Sequence, residues 1–440
     1  MAQILFVTLG CAKNEVDTDR MRALLGVAGF GEASEVSDAD AIIVNTCSFL
    51  ASATSESIET TLELAEEVAE GVRTRPIIMC GCVPSRYGTE LIDELPEVAA
   101  FVRADEEDNI VSVVNKVLGL QDTELPWHGA LRTVEGASAY IKISDGCDRF
   151  CTFCAIPYIR GRYFSRPFEE IADEVRALAE SGVREFVLIG QDTGIWGSDF
   201  AEPKTLAWLL REIAALVRDV NGWVRVLYLQ PEGMTDELIA TIRDTPEILP
   251  YIDIPIQHCS SRILSDMGRP GTPEALHQLF DRLRDEIPGM VLRTTGMAGF
   301  PGETDEEADE LYEFLASEGF DYTSVFAYSP EEGTIAADLP GQVDEDVKLE
   351  RTQRLIDLTE QMGFSATASH VGERVDVIID GVEEGDNGLE LIGHAWFQAP
   401  DCDGAVHVAS GEAAVGDIVT VDLVDSFCYE LIGEIVTEEN

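Results

Sequence analysis

Apolar and polar positions along this chain fall into three textures. In the first third, short apolar runs are separated by amphipathic stretches. QILFVTLG (3–10), AIIVNT (41–46) and PIIMCG (76–81) read as strands, with helices over 16–28 and 56–70. Strands alternating with helices predict a parallel sheet. Residues 119–136 carry Gly and Pro without periodicity and read as a linker. From residue 139 the α/β pattern restarts, with six strand candidates at 140–144, 185–190, 224–229, 251–256, 291–299 and 322–328. Six β/α units predict a partial barrel whose site lies at the strand C-terminal ends. A long charged helix is expected over about 343–363, and 367–440 then alternate in strand fashion between Gly-rich turns. Short strands at that spacing predict a small β-barrel of the oligonucleotide-binding type. The expected division is 1–118, a linker over 119–136, 137–366 and 367–440.

At 440 residues there is ample chain for several cores. No apolar run reaches the ~18–20 residues of a membrane span, so no membrane association is expected. The first residues, MAQILFVTLG, carry no basic leader, so no signal peptide is expected and the expected location is cytoplasmic. Ten cysteines in a reducing compartment read as metal ligands or catalytic groups before disulfides. The charge balance changes the picture further. Thirty Lys plus Arg face 83 Asp plus Glu, a net −53 with only five lysines. Acid spread over every segment suits a salty cytoplasm, where screening makes self-repulsion tolerable.

The strongest chemical signal is Cys147-x3-Cys151-x2-Cys154, in KISDGCDRFCTFCAIP. Three thiolates in a short loop after a strand can wrap one corner of a cubane iron–sulfur cluster. Full protein ligation takes four cysteines, so three leave one iron open. Phe150 and Phe153 in the spacers are placed to screen such a cluster from water. A zinc site would need a further ligand pair, and none stands nearby in sequence. A second group is dispersed: Cys11 follows the first strand, Cys47 the second, and Cys80 and Cys82 the third. Ligands of open α/β sheets bind beyond the strand C-terminal ends, so these cysteines can converge. The plainer alternative is ordinary core cysteines.

TLGCAKNEVDTDRM, VNTCSF, MCGCVPSRY, DGCDRFCTFCAIPYIRGRYFSRP, GQDT, DIPIQHCSSRIL and GFPGETDEE together resemble the radical S-adenosylmethionine (SAM) methylthiotransferases. The resemblance spans nearly the whole chain. It implies an N-terminal cluster domain, a central radical SAM partial barrel and a C-terminal TRAM barrel. It implies two 4Fe-4S clusters, with Cys11, Cys47 and Cys82 on the auxiliary one and Cys147, Cys151 and Cys154 on the one that binds SAM. Cys82 is chosen over Cys80 because the family ligand follows the glycine. Gln191, with Asp192, is placed where such enzymes meet the SAM amino group. Cys259, Cys402 and Cys428 are expected to be unligated, His258 to be a hydrogen-bonded rim histidine, and Glu303 to cap the acidic helix after it. No catalytic side chain beyond the cluster ligands is assigned.

Within the family, LGCAKNEVDTDRM, GQDT, YIDIPIQH and WFQAPDCDGAVHV lean to the branch that modifies an aspartate β-carbon on small-subunit ribosomal protein twelve. The alternative branch modifies a tRNA adenosine. Charge bears on this choice: residues 367–440 hold 17 acidic residues and a single basic one, Arg374. An RNA-binding barrel neutralises phosphates with Lys and Arg. A basic ribosomal protein is therefore the expected partner and tRNA is disfavoured, alongside an electron donor and a sulfur source. An iron–sulfur electron carrier is the alternative of another class, though carriers generally use complete four-Cys ligation. A zinc-bearing nucleic-acid module is disfavoured by the −53 charge.

Overall fold

The computed structural model describes residues 1–71, 74–121, 132, 134, 136–385 and 388–436. Most of the expected linker, 122–131 with 133 and 135, lies outside the described residues. The chain forms two compact units: 1–133 with 144–177 and 331–334, and 134–143 with 178–330 and 335–440.

The first unit is built on β1 (Gln3–Thr8), α1 (Ala12–Val27), β2 (Gly31–Glu32), β3 (Ala41–Thr46), α2 (Ala51–Glu70), β4 (Ile77–Gly81), α3 (Cys82–Tyr87), α4 (Leu91–Glu94), β5 (Val98–Arg103) and α5 (Ile110–Leu118). The strands pair in parallel in the order β2-β1-β3-β4-β5. Every residue of β3 is buried, as a strand covered on both faces requires. Ile43, Ile78 and Cys80 pack under α1 and α5. Ile42, Val44 and Ile77 face the other way, against Leu64, Ala65 and Val68 of α2. Both helices facing the sheet's C-terminal edge start earlier than periodicity predicts, at Ala12 and Ala51 instead of 16 and 56.

After β6 (Ser138–Lys142) comes the hairpin β7 (Ser144–Asp145), α6 (Ile156–Ile159), β8 (Phe164–Ser165). α7 (Phe168–Ser181) leads from the first unit into the second, which continues through β9 (Glu185–Ile189), α8 (Leu206–Val217), β10 (Trp223–Val226), α9 (Asp236–Asp244), β11 (Ile248–Asp253), α10 (Ser261–Asp266), α11 (Pro273–Glu286), β12 (Val291–Ala298), α12 (Asp305–Glu318), β13 (Tyr322–Ala327) and α13 (Glu345–Ser369). Six strands pair in parallel as β13-β12-β11-β10-β9-β6, the partial barrel expected. A closed barrel follows from β14 (Arg374–Gly385), β15 (Gly388–Ala395), β16 (Val406–Ser410), β17 (Ile418–Phe427) and β18 (Glu430–Ile435).

Buried charge joins this small barrel to the six-stranded sheet. Arg225 on β10 donates to Glu185 on β9 (2.7 Å) and to the Trp396 carbonyl (3.0 Å). His394 of β15 bonds Glu185 through Nε2 and Asp380 through Nδ1. Arg293 on β12 pairs with Asp403 (3.1 Å), which also accepts from the Tyr251 hydroxyl on β11. Among the described residues no helix is long and apolar enough to cross a membrane.

Candidate functional site

In the order β2-β1-β3-β4-β5 the chain direction reverses between β1 and β3, and ligands of such sheets bind beyond the strand ends at that point. Cys11 follows β1 and Cys47 follows β3, so the sheet sets two cysteines at the reversal. Gly10, with φ +102°, makes this possible: a Cβ there would lie 2.7 Å from the Cys47 Cβ. Cys82 opens α3 directly after β4. Its turn needs Gly81, at φ +90°, where a Cβ would fall 2.2 Å from Asn45 Oδ1. Cys80, one pleat earlier, points into the apolar cluster of Ile43, Ile78, Val102 and Ile110.

Polar groups fix the backbone around these cysteines. The Cys47 N–H donates to Ser57 Oγ (3.1 Å), and that hydroxyl donates to the Cys47 carbonyl (2.9 Å). Asn14, fully buried in the first turn of α1, donates to the carbonyls of Leu9 (2.7 Å) and Thr46 (3.0 Å), tying the ends of β1 and β3 together. Glu331 accepts from the Ala51 N–H at the start of α2 (2.9 Å) and from Arg86 (3.1 Å). Arg86 also donates to the Ser48 carbonyl (2.8 Å). Burial pushes the Cys47 thiol up and the Cys82 thiol up to about 12, against the pull of Arg160. Thiols held this way lose their protons to a metal centre more readily than to water.

The second triad lies in a loop closed on itself. The Cys147 N–H donates to the Gly161 carbonyl (3.2 Å), and Asp148 accepts from the Tyr163 N–H (3.0 Å) and from Arg162 (3.0 Å). A turn from the Cys154 N–H to the Cys151 carbonyl (3.0 Å) brings those two residues onto one bend. Phe150 is 39% exposed, with the Arg162 guanidinium over its ring, so it covers the loop less than expected. The loop belongs to the same unit as the first triad: Cys82 packs with Ala155 and Ile159.

Arg160, which sequence reasoning missed, ends this loop. Its buried guanidinium donates to Asp17 (2.7 Å) and Asn14 (2.6 Å) of α1 and to Asp145 (3.3 Å) of β7. Burial disfavours its charge, but Asp17 and Asp145 outweigh that and keep it protonated. The available signal was the inward face of α1, where Lys13, Asn14, Asp17 and Thr18 are all buried. A helix that buries polar groups on its core side serves something other than an apolar core. Among the described residues no three His, Cys, Asp or Glu side chains converge closely enough to share a single ion. A cubane asks for something different, since each thiolate binds its own iron.

In the second unit, Gln191 and Asp192 follow β9 on its C-terminal end, and Asp192 is fully buried. His258 is also buried. Its Nδ1 accepts from the N–H groups of Cys259 and Ser260 (both 3.0 Å), which leaves the proton on Nε2, 3.5 Å from Glu303. Glu303 does not cap the helix that follows it. Thr304 does, in a capping box with Glu307, while Glu303 turns inward to the Gly299 N–H (3.0 Å) and Arg351 (2.8 Å). Cys259 is buried, and burial pushes its thiol up.

Comparison with known proteins places this architecture. The radical SAM superfamily matches residues 141–315, an uncharacterised family designated UPF0004 matches 3–103, and the TRAM domain matches 371–436. Among solved structures, the radical S-adenosylmethionine methyltransferase TsrM from Kitasatospora setae, with cobalamin and a 4Fe-4S cluster bound, superposes with TM-score 0.57 at 14% identity. It covers 88% of this chain and 78% of its own. The cobalamin-dependent SAM radical enzyme OxsB gives 0.52 at 12% identity, covering 82% and 56%. These likenesses show the fold of a radical SAM enzyme. Sequence relatives define it more narrowly. A protein named ribosomal protein uS12 methylthiotransferase RimO from Geobacter sulfurreducens is 40% identical over 445 residues, spanning 99% of both chains. One of the same name from Trichlorobacter lovleyi is 39% identical over 449 residues, spanning 99% and 98%. The chain belongs to this family of radical SAM methylthiotransferases, and SAM and iron–sulfur chemistry follow from the family.

Proposed function

We propose that Cys147, Cys151 and Cys154 hold one 4Fe-4S cluster, that Cys11, Cys47 and Cys82 hold a second, and that the enzyme adds a methylthio group to an aspartate β-carbon of ribosomal protein uS12. The observation that carries this reading is the placement of two cysteine triads in one folding unit. One triad follows three adjacent strands of a parallel sheet, two of its members at the reversal point, and the other lies in a single closed loop. The residues fit such groups: Gly10 leaves room beside Cys47, and Cys11, Cys47 and Cys82 each follow a strand of the same parallel sheet. Residues 1–118 then carry the auxiliary site, 137–366 the SAM chemistry and 367–440 substrate recognition.

When bound, the open-iron cluster supplies the electron that cleaves SAM, and with it the power to abstract hydrogen from an unactivated C–H. The chain does the rest. Asn14 and Ser57 fix the loops that present Cys11 and Cys47. Asp148 fixes the loop that presents Cys147. Gln191, at the end of β9, orients the SAM amino group, and the buried rim around His258 and Glu303 excludes water. An external electron donor and sulfur source complete the reaction. The acidic tail suits a basic ribosomal protein and leaves Arg374 alone to meet phosphates.

The test is anaerobic reconstitution with iron and sulfide, then incubation with SAM, reductant and either uS12 or matched tRNA. Peptide mass spectrometry is expected to find the methylthio mass on one aspartate of uS12 and no modified adenosine. Iron should reach about eight per chain, given four per cubane. Modified tRNA with untouched uS12 refutes the substrate, and iron retained in full by Cys82→Ala refutes the ligand set.

A further inference from the structure

The residue that joins the two triads carries a role of its own. Six residues after Cys154, Arg160 sends one guanidinium nitrogen to Asp17 and Asp145 and the other to Asn14. Asn14 in turn ties down the ends of the strands that lead to Cys11 and Cys47. Its Oδ1, which accepts from Arg160 (2.6 Å), also lies 3.8 Å from the Cys82 sulfur, so one side-chain amide bridges the guanidinium and that sulfur. Only 3% of its side chain is exposed, and it is a buried cation in a chain of net −53.

We infer that Arg160 is a positioning residue for the auxiliary cluster: its fixed charge sets the cluster's reduction potential, and its forked geometry sets the register between the two cysteine triads. This rests on the ligand sets proposed above. A three-thiolate cluster is anionic, and reduction adds a further negative charge. A cation beside Cys82 therefore favours the reduced form, since net charge and hydrogen bonds to the sulfurs set cluster potentials. A planar fork is needed because partners on α1 and on β7 must be met at once. Lysine supplies the charge but not two parallel rows of donors.

The experiment compares Arg160→Gln, Arg160→Lys and Asp17→Asn in the reconstituted full chain. The auxiliary cluster's potential is read by redox titration with electron paramagnetic resonance. The ratio of methylthiolated product to deoxyadenosine is read by mass spectrometry. Arg160→Gln should lower the potential, and Asp17→Asn, which removes an anion, should raise it. Arg160→Lys should restore the potential but not the ratio, which falls about tenfold in both Arg160 variants, as losses of groups supporting metal ligands typically do. Potentials within error of the parent in Arg160→Gln, or shifts of the same sign in Arg160→Gln and Asp17→Asn, overturn the inference. If Arg160→Gln does not fold, Arg160→Lys and Asp17→Asn decide alone: an unmoved potential in Asp17→Asn together with an unchanged ratio in Arg160→Lys overturns it. Cys82→Ala is the control. Loss of the auxiliary signal there, with no effect of Arg160, rejects this inference alone, whereas an auxiliary signal that survives Cys82→Ala rejects the ligand assignment beneath it.

Discussion

Replacing His394 by Gln tests the charged seam between the small barrel and the six-stranded sheet. The imidazole is fully buried between Glu185 and Asp380, with Arg225 behind Glu185. Burial works against its charge, yet Glu185 and Asp380 outweigh burial and raise its pKa from 6.5 to about 9. Glu185, for its part, is held down at about 2, because Arg225 and His394 overcome the burial that would raise it. Moving a histidine pKa from 6.5 to about 9 corresponds to about 3 kcal/mol in favour of the folded imidazolium. Because the folded pKa is the higher one, that stabilisation is complete below pH 6.5 and fades as pH rises through about 9. Urea unfolding, followed by tryptophan fluorescence, reads it directly, since Trp223 sits 6.4 Å from the His394 ring. At pH 6.5 His394→Gln should be less stable than the parent by about 3 kcal/mol, and at about pH 10 the gap should nearly close. A gap of equal size at both pH values refutes the assignment of a buried imidazolium.

Two further outcomes are expected. Gly81→Ala must fit a Cβ 2.2 Å from Asn45 Oδ1 and 2.9 Å from the Thr46 carbonyl at φ +90°, so it should cost at least about 2 kcal/mol in thermal unfolding and lower iron retention at the site proposed for Cys11, Cys47 and Cys82. A chain of net −53 should melt at higher temperature as KCl rises towards molar levels, where the Debye length shrinks to about 3 Å. A flat melting temperature across that range counts against adaptation to a salty cytoplasm.

The three central strands of the first sheet, β1, β3 and β4, and all six of the second were legible because buried strands are continuous apolar runs, as in AIIVNT and EFVLI, whereas the edge strands β2 and β5 were not read. The six proposed ligands were legible because cysteines follow three strand ends and recur at close spacing in one loop. What escaped has a common physical cause. The first two turns of α1 and α2 lie beside Cys11 and Cys47, and they bury Asn14, Thr54 and Ser57 where periodicity looks for Leu or Val. Arg160 escaped because its partner Asp17 lies 143 residues away, and nothing local announces an ion pair closed by the fold. Glu303 misled because an acidic residue before an acidic helix reads as a cap, although Thr304 stood beside it. The C-terminal barrel looked separable in sequence. In the structure, removing it strips partners from the buried Glu185, Arg225 and Tyr251 and from Arg293, so truncation would disturb the six-stranded sheet as well.

The segments that similarity picks out, 3–103 and 141–315, are not the pieces that fold together, for 144–177 and 331–334 belong with the N-terminal sheet. A recombination event that exchanged residues 3–103 for a distant homologue's would bring a new Asn14 and Asp17 to an old Arg160, and a new Arg86 to an old Glu331. A replacement lacking Asp17 would leave Arg160 with Asp145 as its remaining carboxylate, and one lacking Arg86 would leave the buried Glu331 without its cation, at several kcal/mol. The two cysteine triads thus share one folding unit. A graft that respects the fold would therefore have to carry 144–177 and 331–334 along with 3–103.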